Sequence, residues 1–241
     1  MLDGAEAGTL QAVSAAMPLV DARLVLWLSP TFPVGAYAYS HGLEWAAQKG
    51  WVRNRATLTA WLGELLAHGS ARNDLILLAQ SAAALRAGRL AGLAEINALA
   101  LALQPSAERY LETQQQGSSF LTAMTAAWDA PLLAPARQAV GEHVAYPVAV
   151  GIAVAAHGMT TGGALAAYAM AFTANLVSAA IRLSVIGQTD AQRVLADLLP
   201  LAIRAASLAE AATLDDLGSS AFRSDIASLA HETQYTRLFR S

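Results

Sequence analysis

A chain of 241 residues, 55% hydrophobic and only 14% charged, can bury a large core and is too apolar for a disordered or solvating polypeptide. Its formal net charge of −3 argues against a general nucleic-acid binder, which needs cations in excess to neutralise phosphates. With no cysteine there are no disulfides, thiolate zinc sites or thiol catalysis, and the basic residues are almost all Arg, which suits planar contacts with protein partners.

Residues 1–21 read as a variable N-terminal segment. Met1–Ala16 carries Asp3 and Glu6 and no early basic residue, unlike a secretory signal, so a cytoplasmic address is expected. A loop follows at Ser29–Gly35: Pro30 and Pro33 stiffen an extended approach, Gly35 allows a tight turn, and a helix is expected to present Tyr37 and Glu44 beyond it. After a second loop at Trp51–Arg55, the residues Leu58, Trp61, Leu62, Leu65 and Leu66 recur at helical spacing and line up one apolar face. Further loops are expected near Gln104–Pro105 and at Ala130–Pro135.

From Val144 to Ile181 there is no Asp, Glu, Lys or Arg, a stretch long enough to span a bilayer. Pro147, His157 and a turn at Gly158–Gly163 interrupt it, and its apolar content is mostly Ala and Gly. Two buried helices joined by a glycine turn fit it better than a membrane span. Thr189-Asp190-Ala191-Gln192 has the form of a capping box, so a helix should start just after Thr189. Val194, Leu195, Leu198 and Leu201 continue the helical period, and Pro200 should kink or end that helix. Another loop is expected around Leu214–Ser220. Strand and hairpin signals are weak, no fixed repeat appears, and no linker divides the chain. The pattern predicts an all-α, single-domain bundle of about eight to ten helices, from a mean helix of about 11–12 residues.

The last residues set Tyr235, Leu238 and Phe239 among Arg237 and Arg240, where a frayed polar end is the norm. Such anchors dock on a partner or pack on their own domain, and composition leaves both open.

A search for chemistry finds little. There is no phosphate-binding loop with its lysine and no nucleophile elbow, and Ser40-His41 are neighbours without a triad's geometry. None of His41, His68, His143, His157 and His231 has a second His at i+4 with a Glu between. Glu142-His143 is the nearest thing to a ligand pair, and a metal site shared across a dimer stays open. Asp215-Asp216 read as a turn or N-cap, while Glu44, Glu64, Glu108 and Glu142 stand alone. No catalytic residue, metal site or cofactor is assigned.

The string Ser29-Pro30-Thr31-Phe32-Pro33-Val34-Gly35-Ala36-Tyr37-Ala38-Tyr39-Ser40-His41-Gly42-Leu43-Glu44 resembles the N-terminal signature of the UreF family of urease accessory proteins. Leu111–Gly117, His143–Gly158 with Tyr146-Pro147 and Gly151, Asn175–Leu183 running on to Gly187-Gln188-Thr189-Asp190, and His231–Ser241 are similar to later blocks of that family in the same order. The likeness covers about residues 22–241, read as a helical domain 22–230 and a partner-binding tail 231–241. Ser184-Val185-Ile186 departs from it where the family often has Pro-Leu.

The resemblance implies a non-catalytic, all-α homodimer. It would bind UreD (also called UreH), recruit and regulate the GTPase UreG, and so support nickel insertion into the urease apoprotein. It also implies that the tail orders on UreD with Arg237 meeting Tyr37, and that Gly35, Glu44, Tyr235, Leu238, Phe239 and Arg240 belong to the same partner-binding face. No nucleic acid or membrane is expected as a partner. Two other readings predict different things. A helical metal-dependent enzyme would gather His143, His157 and Glu142, and a membrane-associated helical protein would use Val144–Ile181.

Overall fold

Helices alone make up the regular structure of the computed structural model, which describes residues 20–241. The expected variable segment 1–21 therefore lies outside the described residues, save Val20 and Asp21. In chain order come α1 (Ala22–Trp27), a 3-10 turn (Ala36–Ala38), α2 (Leu43–Gln48), α3 (Arg55–His68), α4 (Ser70–Arg86) and α5 (Leu90–Ala102). There follow α6 (Ala107–Ala127), α7 (Leu133–Val140), α8 (Tyr146–Ala156), α9 (Thr161–Arg182), α10 (Gln188–Ala211), a 3-10 turn (Leu214–Asp216) and α11 (Phe222–His231). Among the described residues α1 and α2 are the shortest α-helices, of six residues each, and the all-α, single-domain fold is as expected.

Local chemistry starts several helices. The Asp21 carboxylate accepts the Arg23 N–H at α1, Ser106 does the same for Arg109 at α6, and Asn54 and Thr57 form a reciprocal capping box at α3. The five apolar residues expected along α3 are all buried.

The boundaries expected around Thr189 and Pro200 require correction. Helix α10 begins at Gln188 after Gly187, and Ala191 N–H already bonds Gly187 C=O at 3.0 Å, so Thr189 lies inside the helix and caps nothing. The helix also continues through Pro200 to Ala211. Val194 and Leu198 are buried before the proline, and Ala202, Ala205, Ala206 and Ala209 after it. Burial on both sides offsets a mid-helix proline cost of about 3 kcal/mol. Likewise Pro135 sits in the first turn of α7, where its missing N–H has no helical partner to lose, and Gly162 and Gly163 open α9. Ser184 closes α9 in the left-handed region at φ 59, at the place where the sequence departs from the pattern it otherwise resembles.

At the centre, α8 packs against α4 and α6, and nine of its 11 residues are buried. A helix apolar all round is one surrounded by others. Its neighbours approach closely because glycines allow it: a Cβ on Gly117 of α6 would sit 2.1 Å from the Val144 carbonyl oxygen. Helix α9 is long and apolar enough to cross a bilayer, and 56% of that window is buried in the bundle, chiefly against α10 and α4.

Candidate functional site

The backbone between Gly35 and Gly42 folds back on itself. Both glycines take left-handed φ values, 72° and 74°, and a Cβ on Gly42 would lie 2.7 Å from the Ser228 amide nitrogen of α11. The continuous helix expected to carry Tyr37 and Glu44 is therefore absent. Tyr37 sits in the 3-10 turn, Glu44 opens α2, and the non-helical residues 39–42 come between.

Non-helical backbone leaves amides and carbonyls that need partners, and the tail supplies them. Arg240 N–H donates to Ala38 C=O at 2.8 Å, Ser40 N–H donates to Ser241 C=O at 2.8 Å, and the Ser40 hydroxyl donates to the same carbonyl. The buried Glu44 carboxylate accepts the amides of Leu238 at 2.6 Å and Phe239 at 2.9 Å. A carboxylate taking two backbone N–H groups grips the chain without reading its side chains.

Two linked networks hold this grip. In the first, His231 Nε2 lies 3.2 Å from Glu44 Oε2 and its Nδ1 lies 2.6 Å from Glu108 Oε2, so the fully buried ring bridges two carboxylates. Arg237 then closes on Glu108 at 2.6 Å. In the second, the buried Glu112 receives Arg109, His41 at 2.7 Å, Gln116 at 3.1 Å and the Ser241 hydroxyl at 2.7 Å. Burial alone would raise the Glu112 carboxyl, but the charges of Arg109 and His41 and the hydrogen bonds outweigh it and bring it down to about 2. Burial, reinforced by Arg109, pushes His41 below its ordinary value.

Phe239 is buried, with the Arg182 guanidinium 4.3 Å from its ring centre, and Arg182 also donates to the Tyr37 carbonyl at 2.5 Å. One arginine thus ties the signature turn to the tail.

Of the residues expected at a partner-binding face, Glu44, Leu238, Phe239 and Arg240 come together here, and Gly35 shapes the turn beside them. Arg237 does not meet Tyr37 in this chain. Its guanidinium is taken by the Glu108 carboxylate, a stronger acceptor than a ring or phenol, and the Tyr37 side chain stays 67% exposed. The tyrosine that lies beside a tail arginine is Tyr39, next to Arg240, with its hydroxyl donating to Gln115 at 2.5 Å. Tyr235 projects fully into solvent and Leu238 keeps its side chain largely outside.

Sequence reading gave no site role to Arg109, Glu112, His41, His231 or Arg182. A signal existed in α6, where Arg109, Glu112 and Gln116 recur at i, i+3 and i+7 and place a polar stripe on a buried face. The residues of the enzyme reading are not gathered. Glu142 and His143 are exposed, while His157 packs edge-on to Trp27 with ring centres 5.0 Å apart. No group of three His, Asp or Glu suited to a metal occurs among the described residues.

If Glu44 is the grip on the tail, Glu44→Ala leaves the amides of Leu238 and Phe239 without an acceptor and removes one of the two carboxylates beside His231. Amide hydrogen exchange at Leu238 and Phe239 is then expected to accelerate about ten- to a hundredfold, from about 1.5–3 kcal/mol per charged hydrogen bond, with α4 and α8 unchanged. Unchanged exchange at those two amides would show that the tail is held otherwise.

Comparison with known proteins adds the following. The model of the UreF family matches residues 52–199. The chain is 54% identical over 219 residues to a urease accessory protein UreF of Methylobacterium radiotolerans, covering 91% of this chain and 96% of the relative. It is 55% identical over 219 residues to one of Xanthobacter autotrophicus, covering 90% of each. A third, from Rhodopseudomonas palustris strain BisA53, is 50% identical over 241 residues and 100% of both chains, so that likeness includes the signature turn and the tail.

Proposed function

Because this chain belongs to the UreF family of urease accessory proteins, we propose that it serves urease maturation as a non-catalytic scaffold: it binds UreD (UreH), recruits and regulates the GTPase UreG, and so promotes nickel insertion into the urease apoprotein. Nickel is the cargo of that assembly. The working unit in this reading is a cytoplasmic homodimer, and nucleotide turnover belongs to UreG, since this sequence carries no phosphate-binding loop.

The observation that carries the reading is how the tail is held. The grip of Glu44 and Ser40 falls on tail backbone, and the side chains of Tyr235 and Leu238 are left outward. Helix α11 adds Phe222, Ile226 and Leu229, exposed at i, i+4 and i+7. An apolar stripe beside a pre-ordered aromatic tail is the composition of an interface core, and pre-ordering lowers the entropic cost of association. We assign this face to UreD, with UreG joining the complex so formed.

Co-purification with cognate UreD and UreG tests it. The intact chain is expected to capture both. The chain ending at Ala230 should lose them, and the double variant Tyr235→Ala/Leu238→Ala should weaken UreD capture by about tenfold or more while keeping wild-type helicity. Capture of neither partner by the intact chain would remove the scaffold reading. Full capture by the double variant would move the UreD contact to another surface.

A further inference from the structure

Beneath the signature loop, α6 and α9, with Asp74 of α4 and Tyr146 of α8, line a cavity of about 190 Å³. At its mouth stand Ser29, Tyr37, Asn175 and Ser178, and its walls include Leu28, Phe32 and Phe172. Asp74, Tyr146 and Tyr168 line its interior, the first and last of them buried.

Charge in this chamber does not balance. Arg109, Glu112 and His41 also line it, but the Glu112 carboxylate already receives both Arg109 and His41. That leaves Asp74, 7% exposed, whose one hydrogen bond is the Tyr168 hydroxyl at 3.0 Å. Among the described residues its Oδ1 has no partner, and neither has the Tyr146 hydroxyl. Burial pushes the Asp74 carboxyl up to about 6 despite the attraction of Arg109, so near neutral pH it carries a buried charge without a counter-ion.

A hard divalent ion is a poor occupant. It asks for several oxygen ligands, and no group of three acidic or His side chains forms among the described residues. An organic cation fits the wall chemistry, because an alkyl stem can lie along Leu28 and Phe172 while its head reaches the carboxylate. We infer that this cavity receives an alkylammonium or alkylguanidinium group, with Asp74 as its counter-ion and the Tyr146 hydroxyl as a second acceptor. The cation comes either from a free small molecule or from a Lys or Arg side chain of a bound protein. The inference stands on the cavity alone, and only the step that tells these two sources apart rests on the scaffold reading.

Calorimetric titration of the full chain with n-butylammonium, n-propylguanidinium and neutral n-pentanol tests it. Saturable one-to-one binding of the two cations is expected, about tenfold or more weaker in Asp74→Asn and a few-fold weaker in Tyr168→Phe. Asp74→Asn should also unfold at a higher temperature than wild type above about pH 6, which separates lost binding from lost folding. Equal binding by Asp74→Asn, pentanol binding as tightly as the cations, or displacement of the cations by nickel chloride at one equivalent would each overturn the assignment. The source is read from the complex with UreD. Release of UreD by saturating propylguanidinium identifies a partner side chain, and an intact complex identifies a small molecule.

Discussion

Replacing Glu112 with alanine is expected to cost about 3–5 kcal/mol of folding stability, the range seen when one partner of a buried ion pair is removed. Arg109 and His41 would remain in the interior with no carboxylate, and Gln116 and Ser241 would lose an acceptor. In a domain of this size the midpoint of thermal unfolding should fall by roughly 10 °C. Pairing Glu112→Leu with Arg109→Met should recover much of that loss, because no uncompensated charge then stays buried. A loss of under about 1 kcal/mol in urea unfolding would show that the network contributes little.

The same residue sets an acid limb. Its carboxyl lies at about 2 in the folded chain against an ordinary 4.5, so folding is favoured wherever the group is ionised in both states. That contribution is complete above about pH 4.5 and is lost as pH falls toward 2. The alanine variant should therefore show a flatter stability profile across that window, measured by urea midpoint against pH.

Gly117→Ala is the second large effect, and it comes from steric overlap alone. The added methyl would meet the Val144 oxygen at 2.1 Å and the Ala145 carbonyl carbon at 2.7 Å, backbone atoms that cannot rotate aside. To admit it, α6 and α8 must separate, at a cost of about 3 kcal/mol, the upper end for overpacking. Gly92→Ala in α5 is the control: its Cβ meets nothing nearer than 3.9 Å, and helix propensity predicts a gain of up to about 1 kcal/mol. Opposite signs for one chemical change at two helical glycines would separate close approach from propensity. A Gly117→Ala variant as stable as wild type would mean that α6 and α8 do not pack at this distance.

Periodic burial made the bundle legible. The Leu58–Leu66 stripe of α3 is what a sequence reports well, and the charge-free stretch divided into α8 and α9 near its glycines as expected. Boundaries depending on packing were less visible. Nothing local to Pro200 shows that α10 is buried on both sides of it. The site was harder still, because its partners are remote: Glu44 meets His231 across 187 positions, and Leu238 across 194. Each carboxylate looks isolated along the chain and is paired only in space. The tail was recognised by its aromatic and Arg residues, but its grip runs through main-chain amides, which every sequence has alike.

The contact between Ser40 and Ser241 joins positions 201 apart, which gives the clasp a place in time as well as in space. Closing so long a loop is entropically costly until the intervening helices have already drawn its ends together. The clasp should thus form after the folding barrier and open before the bundle does. Weakening it would speed local release of the tail while leaving the refolding rate almost untouched.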